Sequence, residues 1–212
     1  MTKRGPHSRA RTARPIVVLL ACALLVLGGC RSNENIVATL RSYAGQVARD
    51  HQASVGTWEA ANVGATFVLG DAIRTRSRST ATVQLATRHQ LTLEPDTLIR
   101  FLTRPSDPKR TRVALEMGEL TLDAASDAFA LETDLGTLQV AAHGRARLVK
   151  DGDSLRLQVT IGAAELDSNG RHLELQVGDA VEITPKGELT LAPAAPASAS
   201  APPAPSAAAS AA

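Results

Sequence analysis

The chain is poor in cysteine and in aromatic residues. Its two cysteines, Cys22 and Cys30, lie in or at the end of the first apolar segment. The rest has no thiol, which excludes a disulfide framework, zinc-finger spacing and a cysteine nucleophile there. One Trp, one Tyr and three Phe in 212 residues leave the core to Leu, Val, Ile and Ala. Thin aliphatic layers suit a solenoid or small sandwich better than one thick aromatic core. Acidic residues are absent before Glu34, whereas Lys3, Arg4, Arg9, Arg11 and Arg14 precede Pro15. Of 23 basic residues, 18 follow residue 29 and face 21 acids, a net of −3. Such a chain lacks the basic footprint of a nucleic-acid binder.

The basic start is followed by an unbroken apolar run, residues 16–27, and then by Gly28-Gly29-Cys30. A charged region, a short apolar core and small residues form a secretory signal. Leu27-Gly28-Gly29-Cys30 resembles the lipobox of bacterial lipoproteins, in which a lipid is attached to the cysteine and cleavage falls just before it. That resemblance makes 1–29 a signal peptide, Cys30 the acylated first residue and 30–35 a lipidated polar tether. Cleavage before Cys22 would leave a shorter apolar core, Ile16 to Ala21. An uncleaved anchor ranks second, because a spanning helix needs about 17–25 apolar residues. The body is exported in either case, since basic residues before the span stay in the cytoplasm. Arg31 rather than Asp after the cysteine implies, by similarity to enterobacterial lipoproteins, sorting to the outer membrane.

From residue 36 to 191 the pattern is all-β. Short alternating runs recur at spacings of about 8–12 residues, separated by turn residues. The segment 36–50 has helical spacing at Ile36, Leu40, Tyr43 and Val47, but Gly45 interrupts it, and a strand pair is expected. Trp58, beside the turn at Asn62-Val63-Gly64, is expected as a core plug. Strands are expected at about 81–86, 90–94, 98–102, 112–117, 119–123, 128–133 and 137–142. Residues 104–109, with two prolines, are expected as a loop. Asp151-Gly152 and Asn169-Gly170 are hairpin signals, the latter fitting a type I′ turn. Gly70-Asp71-Ala72-Ile73 returns as Gly178-Asp179-Ala180-Val181. From residue 192 only Ala, Pro and Ser occur, which reads as a disordered tail.

These phrases resemble, in their order and spacing, the FecR-type periplasmic domain named for the ferric-citrate regulator. The resemblance runs from Gly45-Gln46-Val47 and Trp58 through GDAIRT, Ser77 to Thr82, LEPDTLIRF, ALEMGELTL, ALETDLGTLQVAAHGRARL and VTIGAAEL to LQVGDAVEITPKGEL. It implies a twisted, β-solenoid-like stack of short strands that contacts envelope partners and performs no catalysis. Gly144-Arg145-Ala146-Arg147 departs from the Gly-Thr-x-Phe common in the family. The signalling regulators also carry a cytoplasmic anti-sigma region before a membrane helix. About fifteen residues precede the signal core here, so the sensor half is expected without the output half.

No chemistry-bearing constellation emerges. His51, His89, His143 and His172 are widely separated and are expected at the surface or an edge. Asp151-Gly152-Asp153 lacks the further oxygen ligands of a calcium loop. No catalytic, cofactor or metal residue is assigned. The remaining candidates are arginines. Arg74, Arg76 and Arg78 alternate, as do Arg145 and Arg147, so each set would share one face of a strand. Aligned, they would form a basic stripe for envelope phosphates or carboxylates; the simpler expectation is a solvated face that resists edge pairing. Two functions compete: a lipid-anchored interaction and regulatory module with an envelope-protein partner, and a structural lipoprotein holding peptidoglycan or anionic glycolipid through the arginine rows.

Overall fold

The computed structural model describes residues 36–104, 107–184, 186 and 188–192. The expected signal segment, Cys30, the expected tether and the Ala/Pro/Ser stretch from residue 193 lie outside the described residues. Among those described there is no α-helix, only a short 3-10 turn at Gln52–Ser54, and no helix long and apolar enough to cross a membrane.

Among the described residues seventeen strands follow one another. The first eight are β1 Ala38–Ala44, β2 Val47–Asp50, β3 Trp58–Ala60, β4 Thr66–Phe67, β5 Ala72–Thr75, β6 Thr80–Leu85, β7 Gln90–Leu93 and β8 Leu98–Arg104. Then come β9 Asp107–Asp123, β10 Phe129–Thr133, β11 Gly136–Val140, β12 Arg145–Asp151 and β13 Ser154–Ile161. The last four are β14 Ala163–Ser168, β15 Arg171–Gln176, β16 Ala180–Ile183 and β17 Leu189–Ala192.

Pairing divides them into two layers. A front sheet runs β4-β1-β6-β7-β9-β12-β13-β16-β17. A back sheet runs β3-β2-β5-β8-β9-β10-β11-β14-β15. Every pairing is antiparallel except β9 with β10. From β6 onward the hairpins β6-β7, β12-β13 and β16-β17 lie in the front layer and β8-β9, β10-β11 and β14-β15 in the back one, with β9 crossing between the two. This gives the solenoid-like winding expected from the sequence, with neither sheet closed on itself.

The two layers share one aliphatic core. Alternation builds it: β6 and β12 bury every second side chain, as a half-buried strand must. All three phenylalanines are inside, with Phe67 and Phe101 rings 5.4 Å apart. Trp58 is not. It stands half-buried on the edge strand β3, where one side of the back sheet meets solvent. The expected core plug is therefore an edge residue, and the aliphatics fill the interior without it.

Other expectations are refined. Residues 36–50 do form two strands, but β1 and β2 enter different sheets and do not pair with each other. Residues 112–117 and 119–123 are parts of one long strand, β9, which also takes in 107–109 from the expected loop. Gly118 is the crossing point: β8 pairs with β9 up to Met117, and β12 pairs from Gly118 onward. Its φ is +92°, and a Cβ there would lie 2.5 Å from the Thr97 Cα. Only glycine permits this close passage. Asn169 and Gly170 both have positive φ, as a type I′ turn requires.

Buried hydroxyls stitch the crossings. Thr75 Oγ1 donates to the Glu94 carbonyl at 2.6 Å and accepts the Thr97 N–H at 2.9 Å. Thr97 Oγ1 in turn donates to the Glu119 carbonyl and accepts the Glu119 N–H, both at 2.9 Å. Thr75 and Thr97 are both fully enclosed. Where the chain leaves one sheet for the other, backbone groups lose ladder partners, and these side chains replace them.

Candidate interaction surface

The five singled-out arginines do not converge. Arg74 lies on β5 of the back sheet, Arg145 and Arg147 on β12 of the front sheet. Strand β5 ends at Thr75, so Arg76 and Arg78 fall in the following turn, where Arg78 has φ +57°. They do not share a strand face with Arg74. A stripe across neighbouring coils is not assembled, because the core separates the two rows.

Each arginine placed on a strand has a local partner. The Arg74 guanidinium lies 4.2 Å from the centre of the Trp58 ring, within cation–π range. Arg145 is paired with Asp123 of β9. Arg147 Nε donates to Glu119 Oε1 at 2.6 Å. That hydrogen bond raises the Arg147 pKa above its ordinary value, against the opposing effect of burial. The front face also carries Arg156 with Glu182, 3.1 Å apart. On the back face, Arg100 Nε donates to Glu116 at 2.7 Å, and Arg112 is paired with Glu132. These groups alternate in sign across the strands, as stabilising cross-strand pairs do.

A cluster that sequence reading missed closes the N-terminal end. Asp71 is wholly buried. Its carboxylate accepts the backbone N–H of Gln52 at 3.0 Å and of Val68 at 3.1 Å, and Arg49 donates to it at 3.3 Å. Arg49 also lies 5.3 Å from the centre of the Phe67 ring, so it lids the core while neutralising the acid. His51 Nδ1 lies 2.9 Å from the same Arg49 nitrogen, Nη2. Next to it, buried Asp50 accepts the Gly56 N–H at 2.9 Å. The repeated Gly-Asp-Ala phrase was the available signal, but nothing in the spacing tied Arg49 to Asp71.

The histidines stay apart. His89 is buried, against expectation: its Nδ1 accepts the Ala125 N–H at 2.9 Å, and its ring packs 4.6 Å from that of Phe129. Burial lowers its pKa, and Asp127 only partly offsets this. His172, on exposed β15, is raised by its hydrogen bond to Asp167 at 2.9 Å. Among the described residues no three His, Cys, Asp or Glu gather as metal ligands would.

The C-terminal end is built differently. Strands β17 and β15 are the last of their sheets. Between them opens a mouth of about 430 Å³ lined by Arg171, His172, Leu173, Val181, Leu189 and Leu191. Leu191 is 70% exposed although it pairs opposite fully buried Val181.

Comparison with known proteins agrees with this architecture. Residues 71–165 match the family model described as FecR protein. The match begins at Asp71 and ends in β14. Two crystal structures of a "putative anti-sigma factor" from Parabacteroides distasonis ATCC 8503 share the fold. Each has a TM-score of 0.50, at 18% and 17% identity, and each alignment covers 57% of this chain. The chain spans 59% of the length of those structures. No curated protein matches.

Proposed function

We propose that this chain is an envelope lipoprotein, acylated on Cys30, whose FecR-type β-domain is a regulatory, non-catalytic protein-contact module. The match of residues 71–165 to the FecR model carries the reading. The Parabacteroides protein of the same fold is described as a "putative anti-sigma factor", which supports a regulatory rather than a metabolic role. The Leu-Gly-Gly-Cys sequence after a basic, apolar leader supports the anchor. The domain then faces the periplasm, and Arg31 favours the outer membrane.

The surface chemistry supports a protein partner over wall polymer or glycolipid. Arg145 and Arg147 are each held by an acid on β9. An anionic polymer would have to displace these acids before gaining the cations. Reading the arginine rows as a wall-binding stripe therefore takes second place.

The test is crosslinking in intact cells, with a tag placed before the Ala/Pro/Ser tail. Capture of one transporter, secretion component or membrane regulator is expected. Recovery of wall and lipid alone would overturn the regulatory reading and leave the structural lipoprotein. Cys30→Ala should move the protein from the membrane to the soluble fraction; unchanged membrane retention would sink the lipid anchor.

A further inference from the structure

We infer that the C-terminal mouth is a self-association surface on which a second copy of this chain docks, continuing both sheets across a two-fold axis. The inference does not rest on the regulatory reading above.

The mouth is an unfinished edge by the molecule's own standard. Strand β17 lies beside β16 as β2 lies beside β5, in the same direction and register relative to the Gly-Asp-Ala corner. At the N-terminal end β2 is covered in turn by β3. At the C-terminal end, among the described residues, β17 pairs with β16 alone. Its sequence, Leu-Thr-Leu-Ala, carries none of the charges that blunt free edges. The chain beyond Ala192 consists of Ala, Pro and Ser, with five prolines in twenty residues. It offers no large apolar side chain to fill the mouth, and proline cannot donate to a ladder.

Two edges, one in each sheet, are open at the same end. One added strand would complete only one of them. A second copy, related by an axis perpendicular to the sheets, completes both, each edge meeting its own counterpart antiparallel. Parity narrows the register. Leu173 and Leu175 point inward on β15, opposite buried Leu166 and Ala164, while His172 and Glu174 point outward. With Leu173 on the axis, inward residues meet inward residues, and His172 stands opposite Glu174 of the second copy, twice. On β17 the same symmetry sets Leu189 and Leu191 against their counterparts. Leucines meet leucines at the centre, Arg171 stands at the end of the same row, and a base meets an acid on the outer rim. The interface is isologous: each copy's mouth is used up by the other, so association stops at two copies and does not run on into a fibre.

The experiment is sedimentation of the full, lipidated chain in detergent, over a concentration series. Two copies per particle are expected. Leu191→Asp, at an exposed position, should raise the dissociation constant at least about tenfold with the circular-dichroism spectrum unchanged. His172→Glu should weaken association, and adding Glu174→Lys should restore it, which loss of folding would not mimic. A monomer across the series would overturn the proposal. So would a dimer indifferent to Leu191→Asp, or a mouth that takes up a different protein while the chain stays single.

Discussion

The two Gly-Asp-Ala corners are the same device in two settings. In the first, the Gly70 N–H donates to the Phe101 carbonyl, and the Phe101 N–H donates to the Asp71 carbonyl. In the second, Gly178, Val159 and Asp179 do the same. Each aspartate side chain accepts the N–H three residues back, from Val68 at 3.1 Å and Gln176 at 2.8 Å. The strands that follow, β5 and β16, have the same burial pattern. What differs is the cover. Asp71 has Arg49, Gln52 and the 3-10 turn over it. Asp179 is half-buried, and the position equivalent to Arg49 is Leu191. The corner itself therefore needs only the aspartate and its own turn. The added cation belongs to closing the end of the stack, a requirement of any repeat-like array.

The largest test removes the two aspartates separately. Asp71→Ala strips a buried acceptor from Gln52, Val68 and Arg49 and strands the guanidinium over Phe67. Breaking such a buried pair costs about 3–5 kcal/mol, or roughly 10 °C in Tm for a domain of this size. Asp179→Ala loses one backbone hydrogen bond and should cost about 1 kcal/mol. Thermal melts of both variants check this. Equal losses would mean that the cover contributes nothing.

Next come the glycines. Both have strongly positive φ, so alanine strains either backbone by about 1–2 kcal/mol. A Cβ on Gly70 would also meet the Gln52 side chain at 2.5–2.8 Å, whereas one on Gly178 meets nothing within 4 Å. Gly70→Ala should therefore unfold at lower denaturant than Gly178→Ala, by a further ~1–3 kcal/mol of overpacking. If the two midpoints coincide, Gln52 yields freely and the N-terminal cover is looser than its contacts suggest.

Two histidines contrast interior and open end in their response to pH. The folded pKa of His89 lies below its ordinary value of 6.5. Its neutral form is favoured in the folded state, so its contribution is complete above that value and is lost as pH falls through the folded pKa. His172 is shifted the other way, so its contribution is present at low pH and lost as pH rises through the raised value. Because His172 is fully exposed, the His89 effect should dominate. Stability measured against pH should fall on acidification; His89→Gln should flatten that fall, whereas His172→Gln should leave it unchanged or slightly steeper.

Much of this was legible in the residues because a strand's period is short and local. Alternation located β6, β7, β8, β10 and β11 to within a residue or two at most ends, and Asn169-Gly170 fixed its own turn. Pairing was less legible. Nothing near Gly45 says that β1 and β2 part to opposite sheets, and nothing near Gly118 says that one strand serves both. Those choices are made by contacts far along the chain, such as Thr97 beside Gly118. The arginine rows failed as a stripe for the same reason: alternation gives the face of one strand, but not which sheet that strand joins. Trp58 and His89 exchanged their expected places because neither side chain alone decides burial. Phe129 and the Ala125 N–H hold His89 inside, while Arg74 gives Trp58 a partner at the edge.

The smallest effect is the most pointed comparison. Leu191→Arg places at the C-terminal corner the residue type that Arg49 supplies at the N-terminal one. If the register equivalence is right, the new guanidinium can reach Asp179 as Arg49 reaches Asp71. The site is open to water, so the gain should be no more than about 0.2–1 kcal/mol and should shrink with added salt. It must be read at a dilution where the chain is a single copy, since the same change removes an exposed leucine from the mouth. A double variant with Asp179→Ala should abolish the gain, because the arginine then has no acid to meet. A gain that survives that second change, or that ignores salt, would mean that Leu191 destabilises merely by being exposed, and the likeness of the two corners would end at the backbone.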